Sequence, residues 1–419
     1  MSASPSTSPA EGTHNPTPPY IGGQAVLEGV MMRSPRSFAV VVRRADGSLH
    51  VRERSVPDGR TGVWRWPLAR GVASLVESLR LGSEALRFSA DQMERDMEAA
   101  ERAEKSAAKA GDKAAPKKKA AGVGGAALRA LTALGYTLFL LTTQDDAAAT
   151  DDGGADSAKP PADDPADDGA PASGDAPKKR GAGGGLMLVI MVAFLFALPQ
   201  AAAAGVNKLL GLSLEVQSPA FQAITGAFKL TIVVGYLLLI RSLLPDIRRV
   251  FQYHGAEHKT ISTYEAGEEL NVDNARAKTT LHPRCGTTFL VMVAIVSILV
   301  FTAIGGFLPR IHTGRALLDN AIFLVEKLPF IPVIAAVTFE IQRVFAKYCT
   351  TGPLRLLLVP GFLCQRITTI EPDDAQLEVA LASLRVTLLR ERGAASSGGD
   401  VRFASFDSLM RTDRLRRAA

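Results

Sequence analysis

Residues 181–207 carry no charged side chain and contain the run LMLVIMVAFLFALP at 186–199, and this stretch decides the fold class. A helix of about 20 apolar residues crosses a hydrocarbon core of ~30 Å, because each residue rises about 1.5 Å. Residues 285–309 are equally free of charge. Two further apolar segments, 224–244 and 320–344, contain Lys229 and Arg241, or Glu326, Lys327 and Glu340. Those charges sit towards segment ends, where long side chains reach the interface. Four spans are therefore expected. Residues 356–364, interrupted by Pro360-Gly361, are too short to cross and read as re-entrant or interfacial.

Loop charge supports the same count. The loop 245–286 holds Arg248, Arg249, Lys259, Arg276, Lys278 and Arg284, whereas 207–223 holds only Lys208. Cytoplasmic loops concentrate Lys and Arg. With four spans this loop and both termini fall on the cytoplasmic side of the inner (plasma) membrane. With the two weaker spans removed, the basic loop would lie outside.

Working outward, the 419-residue chain divides by composition. Residues 1–20 are rich in Ser, Pro and Thr and read as a disordered tail, with no secretory signal pattern. Residues 21–97 form a cytoplasmic region. There β-branched runs at 38–43 and 49–56 flank Ala45-Asp46-Gly47, a hairpin signal. Apolar residues Leu68, Val72, Leu75, Val76, Leu79 and Leu86 then follow at amphipathic helical spacing. Residues 98–180 are a low-complexity insert with one apolar helix at 123–143. Spans one and two occupy 181–244, and spans three and four occupy 287–344. Residues 345–392 hold the re-entrant segment and a charged helix beginning near Glu371-Pro372-Asp373-Asp374. Residues 393–419 read as a flexible tail. The fold class is mostly α: a polytopic helical membrane protein with a small hairpin and amphipathic helix before the spans.

The net charge of +6 is an average over local clusters and points to anionic lipid rather than nucleic acid. Three cysteines, Cys285, Cys349 and Cys364, lack disulfide-framework spacing and suit a reducing compartment.

Chemistry concentrates in YHGAEHK at 253–259. His254, Glu257 and His258 form H-x-x-E-H, an inverted zincin pattern. Imidazoles four apart share a helix face and reach one metal ion, and Glu257 beside them suits a general base. His282-Pro283-Arg284-Cys285-Gly286 adds an imidazole and a thiol at the start of span three, and both are good zinc ligands. A more distant carboxylate is the usual third ligand. Glu340 is preferred over Glu326, because in the four-span topology Glu340 shares a membrane face with His258. Cys285 and His282 are the alternatives. A polar juxtamembrane helix and a Pro/Gly turn would account for the same residues without a metal. Glu28, within IGGQAVLEGVMMRSP, reads as part of a turn-rich structural element.

Taken in order, IGGQAVLEGVMMRSP, YHGAEHKTISTYEAGEEL, LHPRCGTTFL and PGFLCQRITTIEPDDAQLEVA resemble the YqhQ-like family of bacterial membrane proteins. The resemblance covers about residues 20–95 and 186–392. It implies a domain of unknown function labelled a predicted metal-dependent enzyme. It also implies that Glu28, His254, Glu257, His258, His282 and Cys285 occupy the family's motif positions, with Glu340 matching a Glu near the end of its last span. The expectation is a zinc-dependent hydrolase, of peptides or of a lipid-linked substrate, at the cytoplasmic interface. A non-enzymatic scaffold or assembly factor is the rival, and a transporter, requiring a homo-oligomer, is the weaker third. The partner in every case is the lipid bilayer.

Overall fold

The structure is a computed structural model describing residues 19–56, 66–109, 193–309, 311, 313–349, 352–393 and 400–412. Residues 1–18 of the expected N-terminal tail, the apolar helix at 123–143 and the first half of the first expected span lie outside the described residues.

Five antiparallel strands form a meander: β1 (Gly22–Val26), β2 (Gly29–Arg33), β3 (Ser37–Arg43), β4 (Leu49–Ser55) and β5 (Val401–Phe403). The expected hairpin is β3–β4, with Gly47 at φ +82° in its turn. The IGGQ segment, read from sequence as turn-rich, is a second hairpin, β1–β2, whose register pairs Gln24 with Met31 and Val26 with Gly29. The C-terminal segment returns to pair Val401 with Val51.

The sheet is buried on both faces, so β3 reads SFAVVVR with hardly any polar alternation. Strand side chains alternate faces. Phe38, Val40 and Val42 pack with Leu81, Ala85 and Phe88 of α1 (Ala69–Lys109). Ala39 and Val41 join the opposite core, with Leu377, Ala380 and Leu384 of α10 (Asp374–Glu391). Of the stripe expected on α1, Leu86 packs against the core that holds Phe38, whereas Val76 is 59% exposed.

Among the described residues the remaining α-helices are α2 (Leu198–Leu209), α3 (Pro219–Leu243), α4 (Pro245–Glu265), α5 (Val272–Ala277), α6 (Gly286–Ile304), α7 (Ala316–Lys327), α8 (Phe330–Tyr348), α9 (Val359–Thr368) and α11 (Phe406–Met410). Among the described residues, two helical stretches are long and apolar enough to cross a bilayer: Pro219–Leu243 and Gly286–Phe307. A third crossing exists if Leu318–Lys327 and Phe330–Phe345, bent by 47°, act as one. The break falls at Leu328-Pro329, since proline cannot continue the hydrogen-bonded ladder. Leu238, Leu299, Phe307, Val325 and Val333 of these segments are exposed. Such an outward apolar surface suits contact with lipid chains.

Residues 245–286, expected as a cytoplasmic loop, contain the well-buried helix α4, packed against β1, β2 and α10. The C-terminal helix α10 is likewise central. Asp373 and Gln376 form its capping box, and its middle is buried between sheet and α4.

Candidate functional site

Leu244 is extended and Pro245 occupies the first turn of α4, so a new helix starts immediately where α3 ends. Four residues apart on α4, His254 and His258 share a face and stand with ring centroids 4.4 Å apart. Nδ1 of His254 lies 2.9 Å from the Thr368 carbonyl, and Nδ1 of His258 lies 2.6 Å from the Thr280 carbonyl. A carbonyl only accepts, so each Nδ1 is assigned the proton and each Nε2 is left with a lone pair. His254 Nε2 points at Cys285 Sγ, 3.2 Å away. His258 Nε2 is buried with no hydrogen-bond partner among the described residues.

Ligand atoms of His254, His258 and Cys285 all lie within 4.8 Å of one another. An ion about 2.0–2.3 Å from each donor fits such a spacing after small rotamer adjustments. All three side chains are about 1% exposed. Burial pushes the His254 imidazole down to about 4. Burial, reinforced by repulsion from His254 and His282, holds His258 well below its usual range. Neutral imidazoles are the form a metal takes. Cys285 caps α6, accepting the Thr287 N–H at 3.4 Å with the Thr287 hydroxyl 3.1 Å away. Donors at a helix N-terminus suit an anionic sulfur. The two anchoring carbonyls orient the imidazoles as supporting groups orient metal ligands. The donor set could therefore hold a metal ion, and imidazole with thiolate is a combination zinc accepts.

Close packing places those carbonyls. A Cβ on Gly255 would lie 2.2 Å from the Ile370 oxygen, so only glycine lets the 368–370 segment approach α4. Ile370 N–H then donates to the Phe251 carbonyl at 2.9 Å. On the other side, the Gln365 amide clamps the segment that carries the cysteine. Its Oε1 accepts the His282 N–H at 2.9 Å, and its Nε2 donates to the His282 carbonyl at 2.7 Å and to Thr288 Oγ1 at 2.8 Å.

The other sequence-nominated residues are distributed around this cluster. Glu257 is 1% exposed and packs against β1, where Gly23 leaves it room. The His282 ring is 5.7 Å from that of His258, but its Nε2 lies 3.3 Å from Glu265 Oε2. Arg284 also contacts the Glu265 carboxylate and stacks 5.0 Å from the Tyr20 ring centroid. The structure does not bring Glu340 to the imidazoles. Arg70 Nε and Nη2 hold its two oxygens at 2.8 and 2.5 Å, because this part of α8 packs on α1. Instead α8 approaches the cysteine through Gln342, whose Nε2 lies 3.4 Å from the Cys285 carbonyl.

Glu28 forms the β1–β2 turn at φ 52° and binds Arg249 through both oxygens at 2.5 Å, with Tyr253 Oη 3.2 Å away. It ties the hairpin to α4 one turn before His254. Sequence reasoning missed Gly255 and Gln365, and read Gly23 only as part of a turn-rich element. All three lie inside the quoted motifs, yet close approach between distant segments has no periodic signature.

A family model described as "Protein of unknown function (DUF1385)" matches residues 173–390. The "Uncharacterized protein YqhQ" of Bacillus subtilis (strain 168) is 28% identical over 386 residues, covering 91% of this chain and 97% of that protein. No solved structure matches the chain.

Proposed function

We propose a role from the geometry, because the chain belongs to the DUF1385 family, whose function is unknown: an integral membrane hydrolase that binds zinc through His254, His258 and Cys285. The observation that carries this reading is the paired anchoring of both Nδ1 groups on backbone carbonyls, which aims two Nε2 lone pairs and one sulfur at a common point. Three protein ligands and one open position are the donor count of catalytic zinc. Zinc held there would polarise a substrate carbonyl and acidify water.

In this reading Glu257 accepts the proton from the attacking water and later returns it to the leaving group. Its place on the turn between His254 and His258, with its carboxylate buried against β1, supports that role. The exposed apolar surfaces of α3, α6 and α8 support a substrate that is itself membrane-associated, with an amide or ester bond presented at the interface. The basic α3–α6 connection supports a cytoplasmic site.

One observation favours a second reading. The three donors are about 1% exposed, as in a structural site that staples α4 to the start of α6. The protein would then be a scaffold.

Metal analysis tests the site itself. Purified full-length protein should carry about one zinc per chain, and H254A, H258A and C285S should each lose most of it. A cobalt-loaded sample should show a thiolate charge-transfer band that C285S abolishes. Wild-type protein without stoichiometric metal would overturn both readings. E257Q separates them: a base predicts full metal content with loss of function in a complementation assay, whereas a staple predicts unchanged function.

A further inference from the structure

Far along the helices from the zinc cluster, two lysines face the interior of the apolar bundle. Lys229 lies ten residues into α3 and fourteen before its end. At about 1.5 Å per residue, that is roughly 15 and 21 Å from the two termini, beyond the reach of a snorkelling side chain. Its Nζ instead donates to Ser297 Oγ on α6 at 3.3 Å and sits 4.7 Å from the Phe196 ring centroid.

Lys327 ends α7 at the break before α8 and is 4% exposed. Its Nζ donates to Gln200 Oε1 at 3.1 Å and lies 4.4 and 5.3 Å from the Phe323 and Phe301 ring centroids. Both lysines line one small pocket of about 20 Å³ together with Gln200, Gln222 and Ser297. Among the described residues, neither forms an ion pair with an Asp or Glu. Two cations kept in an apolar layer with only neutral partners are costly. Hydroxyl, amide and ring faces, with the C-terminal end of α7 at Lys327, offset part of that cost without supplying a full negative charge.

An apolar cavity of about 80 Å³ adjoins the pocket, sharing Phe196, Lys229, Ser297 and Phe301 with it and walled further by Val233 and Ile334. The pocket is sized for one or two heavy atoms such as carboxylate oxygens, and the adjoining cavity for the carboxyl carbon and the first carbons of a chain. We propose that Lys229 and Lys327 form a binding site for a small monoanionic group, the carboxylate of an acyl-chain amphiphile whose tail enters the adjoining cavity. Broken helices at membrane depth commonly build such ligand sites, and the α7–α8 break supplies one here. The site is independent of the zinc cluster and of the hydrolase reading.

The test is equilibrium binding of radiolabelled oleate to full-length protein in dodecyl maltoside and halide-free buffer. Wild type should bind saturably. K229M and K327M should each weaken binding about tenfold or more, as expected when a desolvated charge pair is lost. Both variants remove a buried charge while keeping side-chain volume, so they should fold, as gel filtration would verify. K229R should retain binding, separating charge from shape. Oleyl alcohol should not compete, because it has the tail without the charge. Chloride tests the soluble source: competition by chloride assigns the pocket to free anions as well and upholds the anion site. The proposal is overturned if the K229M/K327M double variant binds oleate like wild type. It also falls if oleyl alcohol competes as well as oleate, or if wild type binds neither oleate nor chloride.

Discussion

Glu257 fills the space that a side chain on Gly23 would need: a Cβ there would stand 2.8 Å from Glu257 Cγ and 2.9 Å from Cδ. The β1–β2 hairpin and the H-x-x-E-H helix therefore meet at a glycine because the carboxylate is packed against the strand. Gly23→Ala should displace Glu257 or the strand and cost about 1–3 kcal/mol, the usual range for overpacking. Zinc content should stay near wild type, since neither imidazole nor the thiol is touched. Thermal unfolding combined with metal analysis checks this, and a G23A protein as stable as wild type would show that the contact is slack.

Glu28 occupies left-handed backbone at φ 52° in the same hairpin, a conformation that disfavours non-glycine residues. Its carboxylate is held by Arg249, which is 47% exposed, so the ion pair adds little beyond position. Glu28→Ala loses the pair and keeps the backbone strain, whereas Glu28→Gly loses both. E28G should thus be more stable than E28A by about 1 kcal/mol. Urea denaturation of the two variants side by side gives the sign directly. The reverse order would mean that the turn relaxes when the carboxylate is removed.

These two residues show where sequence reading succeeds and where it stops. Periodic features were legible: the β3–β4 hairpin around Asp46-Gly47, the apolar segments now seen as α3 and α6, and the i, i+4 imidazoles on α4. Each depends on neighbours within one element. The partners of those imidazoles are Thr280 and Thr368, contributed as backbone carbonyls, and a carbonyl has no residue identity to recognise. Topological inference favoured Glu340 as the distant ligand because the four-span reading put it on one membrane face with His258. It could not register that Arg70, 270 positions earlier, already engages that carboxylate. Lys327 was read as an end-of-span charge. The 47° bend between α7 and α8 instead leaves it buried among the Phe301 and Phe323 rings, a tertiary placement that apolar length alone does not reveal.

The C-terminal strand supplies a pH-dependent contact. Arg52 binds both Asp400 oxygens at 2.7 Å beside β5, and its hydrogen bonds hold the Asp400 carboxyl below the ordinary carboxylate range. A carboxyl depressed in the folded state contributes stability above its unfolded pKa and loses it as pH falls through the folded one. Docking of β5 should accordingly be unchanged from neutral pH to about 5 and weaken below the normal aspartate range. Both side chains are a third or more exposed, so the effect is confined to local opening. Hydrogen exchange at Val401–Phe403 should accelerate at low pH, after correction for intrinsic rates, relative to β3. In R52M this pH dependence should shrink, with Arg95 and His50 leaving a smaller remainder.

Gln365 gives the strongest expectation at the candidate centre. Its amide is fully buried and holds both the N–H and the carbonyl of His282, three residues before Cys285, the candidate sulfur ligand. Gln365→Leu keeps roughly the same volume but strands two buried backbone groups and the Thr288 hydroxyl. Each unsatisfied group costs about 1–3 kcal/mol, so a loss of at least about 3 kcal/mol is expected where water cannot enter. The freed 282–285 segment should also hold Cys285 less firmly, lowering zinc affinity by about tenfold or more, as changes to supporting groups around a metal commonly do. Gln365→Glu retains the acceptor for the His282 N–H but loses the donor, and should fall between the two. Competition with a chelator of known affinity measures the ordering. Equal zinc retention in wild type and Q365L would show that Thr287 and the α6 N-terminus fix the sulfur without the clamp.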